Sequence, residues 1–385
     1  MALPTDPLSP HLRRATIARH TKGNGAFSTK VPGLQLMWDS TSLGVLKTCP
    51  RKYFFSQVLG MNGRGENVHL IFGIVLHSSL EAYDHARAKG KTWREGVRAA
   101  LTVALLNSGA RVPAVKGCIH CSHPDEVTKG TASECTIEPF SGEAGWCWKC
   151  KICGKITPGE GVPPTRWVPW QSTDKYKNRD NLVKAVVWYL GKFSDDPTKT
   201  VILENGKPAV ELSFKIDTGL PSLSGEHYVL SGHLDRLVKF GESVYVQDRK
   251  TTKYALDQKY FEKYSPDNQM TLYSLAGKMA FAKPIAGVMV DAMQTLTYAV
   301  RFRRRIISRT SSQLESWWRD FHILLGQNEQ YVKLGHWPQN DTACGNYGGC
   351  EYLKVCSMDE DSHWNILSGE FAFRQWDPSI ARGGD

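Results

Sequence analysis

No stretch of this chain approaches the roughly 20 consecutive apolar residues that a membrane-spanning helix requires, so no such helix is expected. The first ten residues, Met1 to Pro10, also lack the apolar core of a signal peptide, which predicts a protein kept in a reducing cytoplasm with no membrane partner. Acidic residues are the scarcer charge, 38 against 48 lysines and arginines, for a formal net charge of +10. That balance suits a polyanionic partner without identifying one. Residues 1–36 show no hydrophobic period, and Arg13, Arg14, Arg19, Lys22 and Lys30 stand among glycines and prolines, so this segment reads as a flexible basic arm. Aliphatic residues also thin out between about Arg111 and Pro164, where glycines and six of the ten cysteines replace them. In a reducing compartment, cysteines grouped as one early, six central and three late read as metal ligands rather than disulfides.

What is present is enough for a sizeable core: 385 residues, 41% hydrophobic. Ser40 or Thr41 is a candidate cap for a helix running through Leu43, Leu46, Tyr53 and Phe54 to Gly60. A second helix carries Phe72, Val75, Leu76, Leu80 and Tyr83 on its apolar side, with Gly73, His77 and Glu81 four residues apart on one flank. An amphipathic stretch follows from Trp93 to Leu106, and the helical pattern resumes from Asp180 to Leu190. Strands are then expected over Ala209–Ile216, Tyr228–Val238 and Val244–Lys250, a helix over Asn268–Phe281, and strands over Gly287–Ala292 and Val300–Ile307. Ser312 and Glu315 form a capping box before an apolar stripe through Leu314, Trp317, Trp318, Phe321, Leu324 and Leu325, which belongs to the core. The fold class is mixed α/β, a mixed sheet flanked by helices. Five regions are expected: the arm at 1–36, a helical part at 37–110, an insertion at 111–164, the main core at 165–335, and a cysteine-bearing lobe at 336–385.

Asp248-Arg249-Lys250 ends the apolar run Val244-Tyr245-Val246, and side chains two apart on a strand project to the same face. An acid two residues before a lysine occurs only twice in the chain, and the other case, Asp257-Gln258-Lys259, follows no β-like run. Tyr228–Asp235 reads as a neighbouring strand folded back through Gly241-Glu242-Ser243, which sets Asp235 beside Asp248. Two such carboxylates favour Mg2+ or Mn2+, and the lysine is placed to orient a water and stabilise charge on a phosphate. This is the minimum equipment of a metal-dependent phosphodiesterase. His77 is a candidate nitrogen ligand from the helix.

The series Gly73-x-x-x-His77, Gly232-x-x-Asp235, Asp248-x-Lys250 and Gln269-x-x-x-Tyr273 resembles the PD-(D/E)XK nuclease superfamily, specifically its RecB-like exonuclease branch. The resemblance implies a restriction-endonuclease-like core, metal binding by His77, Asp235 and Asp248, catalysis by Lys250, and positioning of DNA by Gln269 and Tyr273. Cys49, with Cys344, Cys350 and Cys356 near the other terminus, supplies four thiolates for an iron-sulfur cluster or a zinc ion. One cysteine before the core and three after it is similar to the layout of iron-sulfur nucleases of this branch, including those of CRISPR adaptation and the AddB subunit of recombination enzymes. A structural cluster, of the 4Fe-4S type, is implied. In the insertion, Cys118-x-x-Cys121 and Cys150-x-x-Cys153 read as the two knuckles of a zinc ribbon, with Cys147 as an alternative ligand.

Basic and aromatic residues interleave at Arg51-Lys52-Tyr53 and from Arg301 to Arg305, a mixture suited to single-stranded nucleic acid. The resulting expectation is a metal-dependent DNA exonuclease acting on single strands or ends, with Arg51 and Lys52 touching substrate and a recombination or CRISPR-adaptation protein as partner. The alternative is a non-catalytic DNA-binding or adaptor protein that keeps the nuclease fold.

Overall fold

The computed structural model describes residues 17–65, 67–113, 116–117, 136–142, 145–150, 156–158, 165–280 and 285–380. Its frame is a seven-stranded mixed sheet of β1 (Met37–Trp38), β2 (Lys199–Thr200), β3 (Val210–Pro221), β4 (His227–Phe240), β5 (Ser243–Thr252), β6 (Ile285–Thr295) and β7 (Val300–Ile307). The spatial order is β1-β4-β5-β6-β7, with β2 and β3 also pairing with β4. β3, β4 and β5 form an antiparallel meander, β5 and β6 run parallel, and β7 returns antiparallel as the outer strand. The parallel step requires a crossover, and the short helix Gln258–Glu262 and the helix Asn268–Ala280 supply it.

Helices cover both faces: α1 (Ser40–Thr48), α2 (Val68–Ala88), α3 (Trp93–Asn107), α4 (Arg179–Lys192), α5 (Gln258–Glu262), α6 (Asn268–Ala280), α7 (Ser311–Leu334) and α8 (Glu360–Glu370). On one face α2, α3 and α4 bury Phe72, Leu76, Leu80, Ala100, Ala104, Leu182 and Val186 against Met293 of β6. On the other, Val246, Val290 and Ala292 meet Met270, Leu272 and Tyr273 of α6, in a core that extends to Trp317 and Phe321 of α7 and to Trp38 and Tyr53. The stripe on α7 is therefore core, as its spacing required.

Local chemistry explains where elements begin and end. Asp39, rather than Ser40 or Thr41, caps α1: its carboxylate accepts from the Ser42 N–H at 2.8 Å in a capping box. The expected helix to Gly60 breaks at Cys49, which is extended at φ −162° because Pro50 disfavours helical geometry in the residue before it. A short helical turn, Pro50–Tyr53, and a π-turn, Phe54–Val58, follow. The capping box of α7 is Thr310 with Gln313, two residues before the pair read from the sequence.

The termini also differ from expectation. From Ile17 onward the segment read as a basic arm is packed: Ile17, Ala26, Phe27 and Leu34 are buried, and Asn24 donates to the Trp376 carbonyl at 3.1 Å. Their apolar side chains are irregularly spaced, so they fill a gap in the tertiary structure without leaving a period in the sequence. Near the other end, Phe371–Phe373 pairs antiparallel with Met61–Gly63. Between α3 and α4, Gly109–Pro113 pairs with Thr165–Pro169 to close the neck of the insertion, whose strands Lys116–Gly117, Thr136–Gly142, Gly145–Cys150 and Ile156–Pro158 form a separate antiparallel sheet.

A buried charge network fixes α2 to the sheet. Asp84, 1% exposed, lies 3.0 Å from the guanidinium of Arg236 on β4 and 2.7 Å from that of Arg249 on β5. Each arginine directly follows one of the two acids singled out in the sequence. In the same layer Asp291 accepts from Tyr189 at 2.6 Å, Gln247 at 2.6 Å and Arg304 at 2.9 Å. Asp84→Ala leaves two buried guanidinium groups without their counter-charge, and is expected to cost about 3–5 kcal/mol, read as a lowered midpoint in urea unfolding.

Candidate active site

The site forms where two strands part. β4 and β5 pair from Phe240↔Ser243 to Arg236↔Gln247, after which β5 continues alongside β6. The Arg249 N–H, released from the β4 ladder, finds Asp235 Oδ2 at 3.0 Å. Gly232 allows this stretch of β4 to lie close under the Phe214 ring, since a Cβ there would come within 2.7 Å of that ring.

Into this gap α2 brings His77. Its Nδ1 is 3.2 Å from Asp235 Oδ2 and its Nε2 is 2.8 Å from the Arg249 carbonyl oxygen. Both ring nitrogens thus face acceptors, an arrangement satisfied by a doubly protonated ring or by a cation shared among nitrogen and oxygens. Burial opposes charge on the ring, but the Asp235 carboxylate outweighs it and raises the His77 pKa. Burial likewise works to raise Asp235, yet His77, Lys250 and the Arg249 N–H together pull it well below the usual carboxylate range.

Asp248 and Lys250 project to the same face of β5, as their spacing required. Lys250 Nζ lies 2.9 Å from Asp248 Oδ2 and donates at 2.6 Å to Gln269 Oε1, while Gln269 Nε2 donates to the Tyr273 hydroxyl at 2.9 Å. Gln269 and Tyr273 are therefore brought to the site, but Gln269 contacts the lysine, Tyr273 contacts Gln269, and Tyr273 is buried. Burial pushes the Asp248 carboxyl up, because desolvation and the nearby Asp235 outweigh the Lys250 ammonium. Burial lowers and the two carboxylates raise Lys250, with a net rise that keeps it a cation.

The structure adds a residue that the sequence reading missed. Glu211 sits on β3 between the pairs Val210↔Arg236 and Leu212↔Leu234, which sets it across from Asp235. Ligand atoms of His77, Glu211 and Asp235 lie within 4.8 Å of one another. Glu211 also has φ +49°, the one non-glycine residue at positive φ among those described. Such a conformation costs on the order of 1–2 kcal/mol in an L-residue and marks a position held for a purpose. Its signal in the sequence was an acid in strand register with Asp235, visible only once β3 and β4 are paired.

This donor set fits a hard divalent ion. It combines the His77 imidazole with the Glu211 and Asp235 carboxylates, and the Arg249 carbonyl lies against His77; Asp248 is held by Lys250 and is not among the atoms that gather within 4.8 Å. Asp248 Oδ2 is buried and accepts no well-formed hydrogen bond, although the Lys250 ammonium is near.

The other candidate residues fall elsewhere. Arg51 donates through Nε to the Trp337 carbonyl at 2.7 Å and lies 3.4 Å from Glu360, and Lys52 lies 3.7 Å from Glu351. Both side chains therefore bind the C-terminal lobe rather than lining the gap between β4 and β5. Cys49, Cys344, Cys350 and Cys356 line one cavity of about 400 Å³. Burial and the neighbouring thiols push Cys356 up to about 11. Of the insertion cysteines, Cys118, Cys121, Cys135 and Cys153 lie outside the described residues, and Cys150 ends the strand Gly145–Cys150 that also holds Cys147.

Residues 169–357 match the model of the PD-(D/E)XK nuclease superfamily. They are a PD-(D/E)XK nuclease superfamily domain. The matched span holds Asp235, Asp248, Lys250, Gln269 and Tyr273, while His77 and Cys49 precede it. Among curated proteins, no relative matches the chain. Nucleases of this superfamily are hydrolases that typically use Mg2+ or Mn2+, in agreement with the donor set.

Mn2+ titrated into the protein and followed by calorimetry is expected to bind at this site. Asp235→Asn and Asp248→Asn should each weaken that binding more than about tenfold while the protein still unfolds in one cooperative transition, and Glu211→Gln should weaken it less. Equal affinity in all four proteins would remove these carboxylates from the metal site.

Proposed function

We propose that this protein is a metal-dependent DNA exonuclease of the RecB-like type, acting on single strands or free ends. The observation that carries the reading is the meeting of His77, Glu211 and Asp235, with Asp248 and its ion-pair partner Lys250 on the neighbouring strand. A divalent ion held by these groups and by the Arg249 carbonyl would supply a Lewis acid for the phosphate and a more acidic water. Lys250, held by Asp248 and Gln269, presents a fixed positive charge that orients the water and neutralises charge building on the phosphate oxygens. The Tyr273-Gln269 chain sets the direction of that ammonium. His77 fixes the Asp235 carboxylate while bridging to the β5 backbone.

The second part of the proposal is a 4Fe-4S cluster on Cys49, Cys344, Cys350 and Cys356. Four thiols at one cavity, from segments almost 300 residues apart, support it. In this reading the cluster is structural, joining the corner at Cys49 to the C-terminal lobe, and the ribbon of the insertion holds Zn2+.

With Mn2+ present, the protein should shorten end-labelled linear single-stranded DNA and leave circular single strands intact. Asp248→Ala and Lys250→Ala should each lose at least about a thousandfold in rate, as for removal of a main charge-stabilising group. Persistent cutting in both variants refutes the site, and rapid cutting of circles refutes the exonuclease assignment. Anaerobically purified protein should be brown, with iron and sulfide in equal amounts, and Cys350→Ser should bleach it. Zinc alone at the four-cysteine site would overturn the cluster.

A further inference from the structure

We infer that Arg301, Arg303 and Arg305 on β7 form a phosphate track that guides a single nucleic-acid strand past the metal site. The proposal rests on the nuclease reading for the identity of its ligand, and on strand register for its geometry. Across the sheet, Asp248 pairs with Val290 and Val290 with Arg305; Lys250 pairs with Ala292 and Ala292 with Arg303; Thr252 pairs with Gln294 and Gln294 with Arg301. Side chains directly opposite one another in a sheet share a face. The three arginines therefore stand on the same face as Asp248 and Lys250, two strand spacings away, or about 10 Å.

The same register sorts out the fourth arginine of this run. Arg304 lies in the row of Asp291 and Arg249, on the opposite face, where Asp291 and Asp196 neutralise it. Arg301, Arg303 and Arg305 are exposed, and among the described residues no acid pairs with any of them. Arg303 donates to the Leu256 carbonyl at 2.8 Å and its guanidinium lies 6.0 Å from the Phe261 ring centre, which holds it toward the site side. Successive arginines, two residues apart, are spaced about 7 Å along the strand, a repeat comparable with that of phosphates along an extended single strand.

A single strand, rather than a duplex, is indicated by two aromatic rings at one end of this row. Tyr254, 67% exposed, follows β5, and Tyr298, 86% exposed, tips the β6–β7 turn. Gln294 and Thr295 bond to the backbone carbonyls of Lys253 and Thr252, which ties those two segments together. Cations in a row with exposed rings beside them, one of which already carries the Lys253 ammonium at 5.6 Å from its centre, bind unpaired nucleotides by charge and stacking.

The test is fluorescence anisotropy of a labelled oligodeoxythymidylate over a range of salt concentrations, in EDTA so that no cutting occurs. The Arg301→Ala/Arg303→Ala/Arg305→Ala variant is expected to bind more weakly, with the slope of log affinity against log salt reduced by about 2, at about 0.7 per phosphate contact. Tyr254→Ala/Tyr298→Ala should weaken binding with the slope unchanged. A control of equal charge loss, Arg94→Ala/Arg98→Ala/Lys184→Ala on α3 and α4, should leave the slope as in the wild type. An unchanged slope in the β7 variant, an equal fall in the control, or a wild-type protein that does not bind the oligonucleotide overturns the track. Loss of Mn2+-dependent cleavage has no bearing on this readout, so the nuclease reading fails or stands separately.

Discussion

One hydrogen bond marks the point on which the site depends: the Arg249 N–H donating to the Asp235 carboxylate where the β4–β5 ladder stops. A strand leaving its partner exposes backbone groups that must find new partners or pay for burial. Here a side chain takes the place of the missing strand, so one carboxylate both ends the ladder and gathers with His77 and Glu211. The Arg249 carbonyl, on the same edge of the strand, meets His77. Backbone geometry and ligand geometry are thus the same constraint. Asp235 and Asp248 repel one another, and His77 and Lys250 balance part of that charge from within the protein.

The opposite face of the sheet carries the complementary half of the design. Because side chains alternate along a strand, the residue after each acid must point away, and both positions hold arginine. Asp84 grips the two arginines from α2, the helix that also carries His77 two turns earlier. A displacement of α2 would therefore disturb the imidazole and the two strands together. Asp84 was not singled out in the sequence because its partners, Arg236 and Arg249, lie more than 150 positions away.

What was legible in the sequence follows from periodicity and local spacing. Asp248, Lys250 and Asp235 were readable because alternation along a strand fixes which side chains share a face, and α2 and α7 because an apolar stripe at helical spacing has few other uses. Glu211 was not, since its role comes from pairing with β4 and from a backbone angle that no local pattern announces. Arg51 and Lys52 looked available to phosphate because Glu360 and Glu351, which neutralise them, are about 300 residues distant. Cys49 was read as a candidate ligand, but the corner on which it sits comes from Pro50, whose effect on the preceding residue was not used.

Among the described residues β7 is the outer strand of the sheet, with no strand paired along its far side. Such an edge is a template for joining a second molecule strand to strand. Three guanidinium groups at alternate positions make that union costly, since a second copy would bring its own row of like charges into register. The residues that suit a polyanion thereby also help keep one chain from polymerising with the next, and neutralising them would expose an adhesive border.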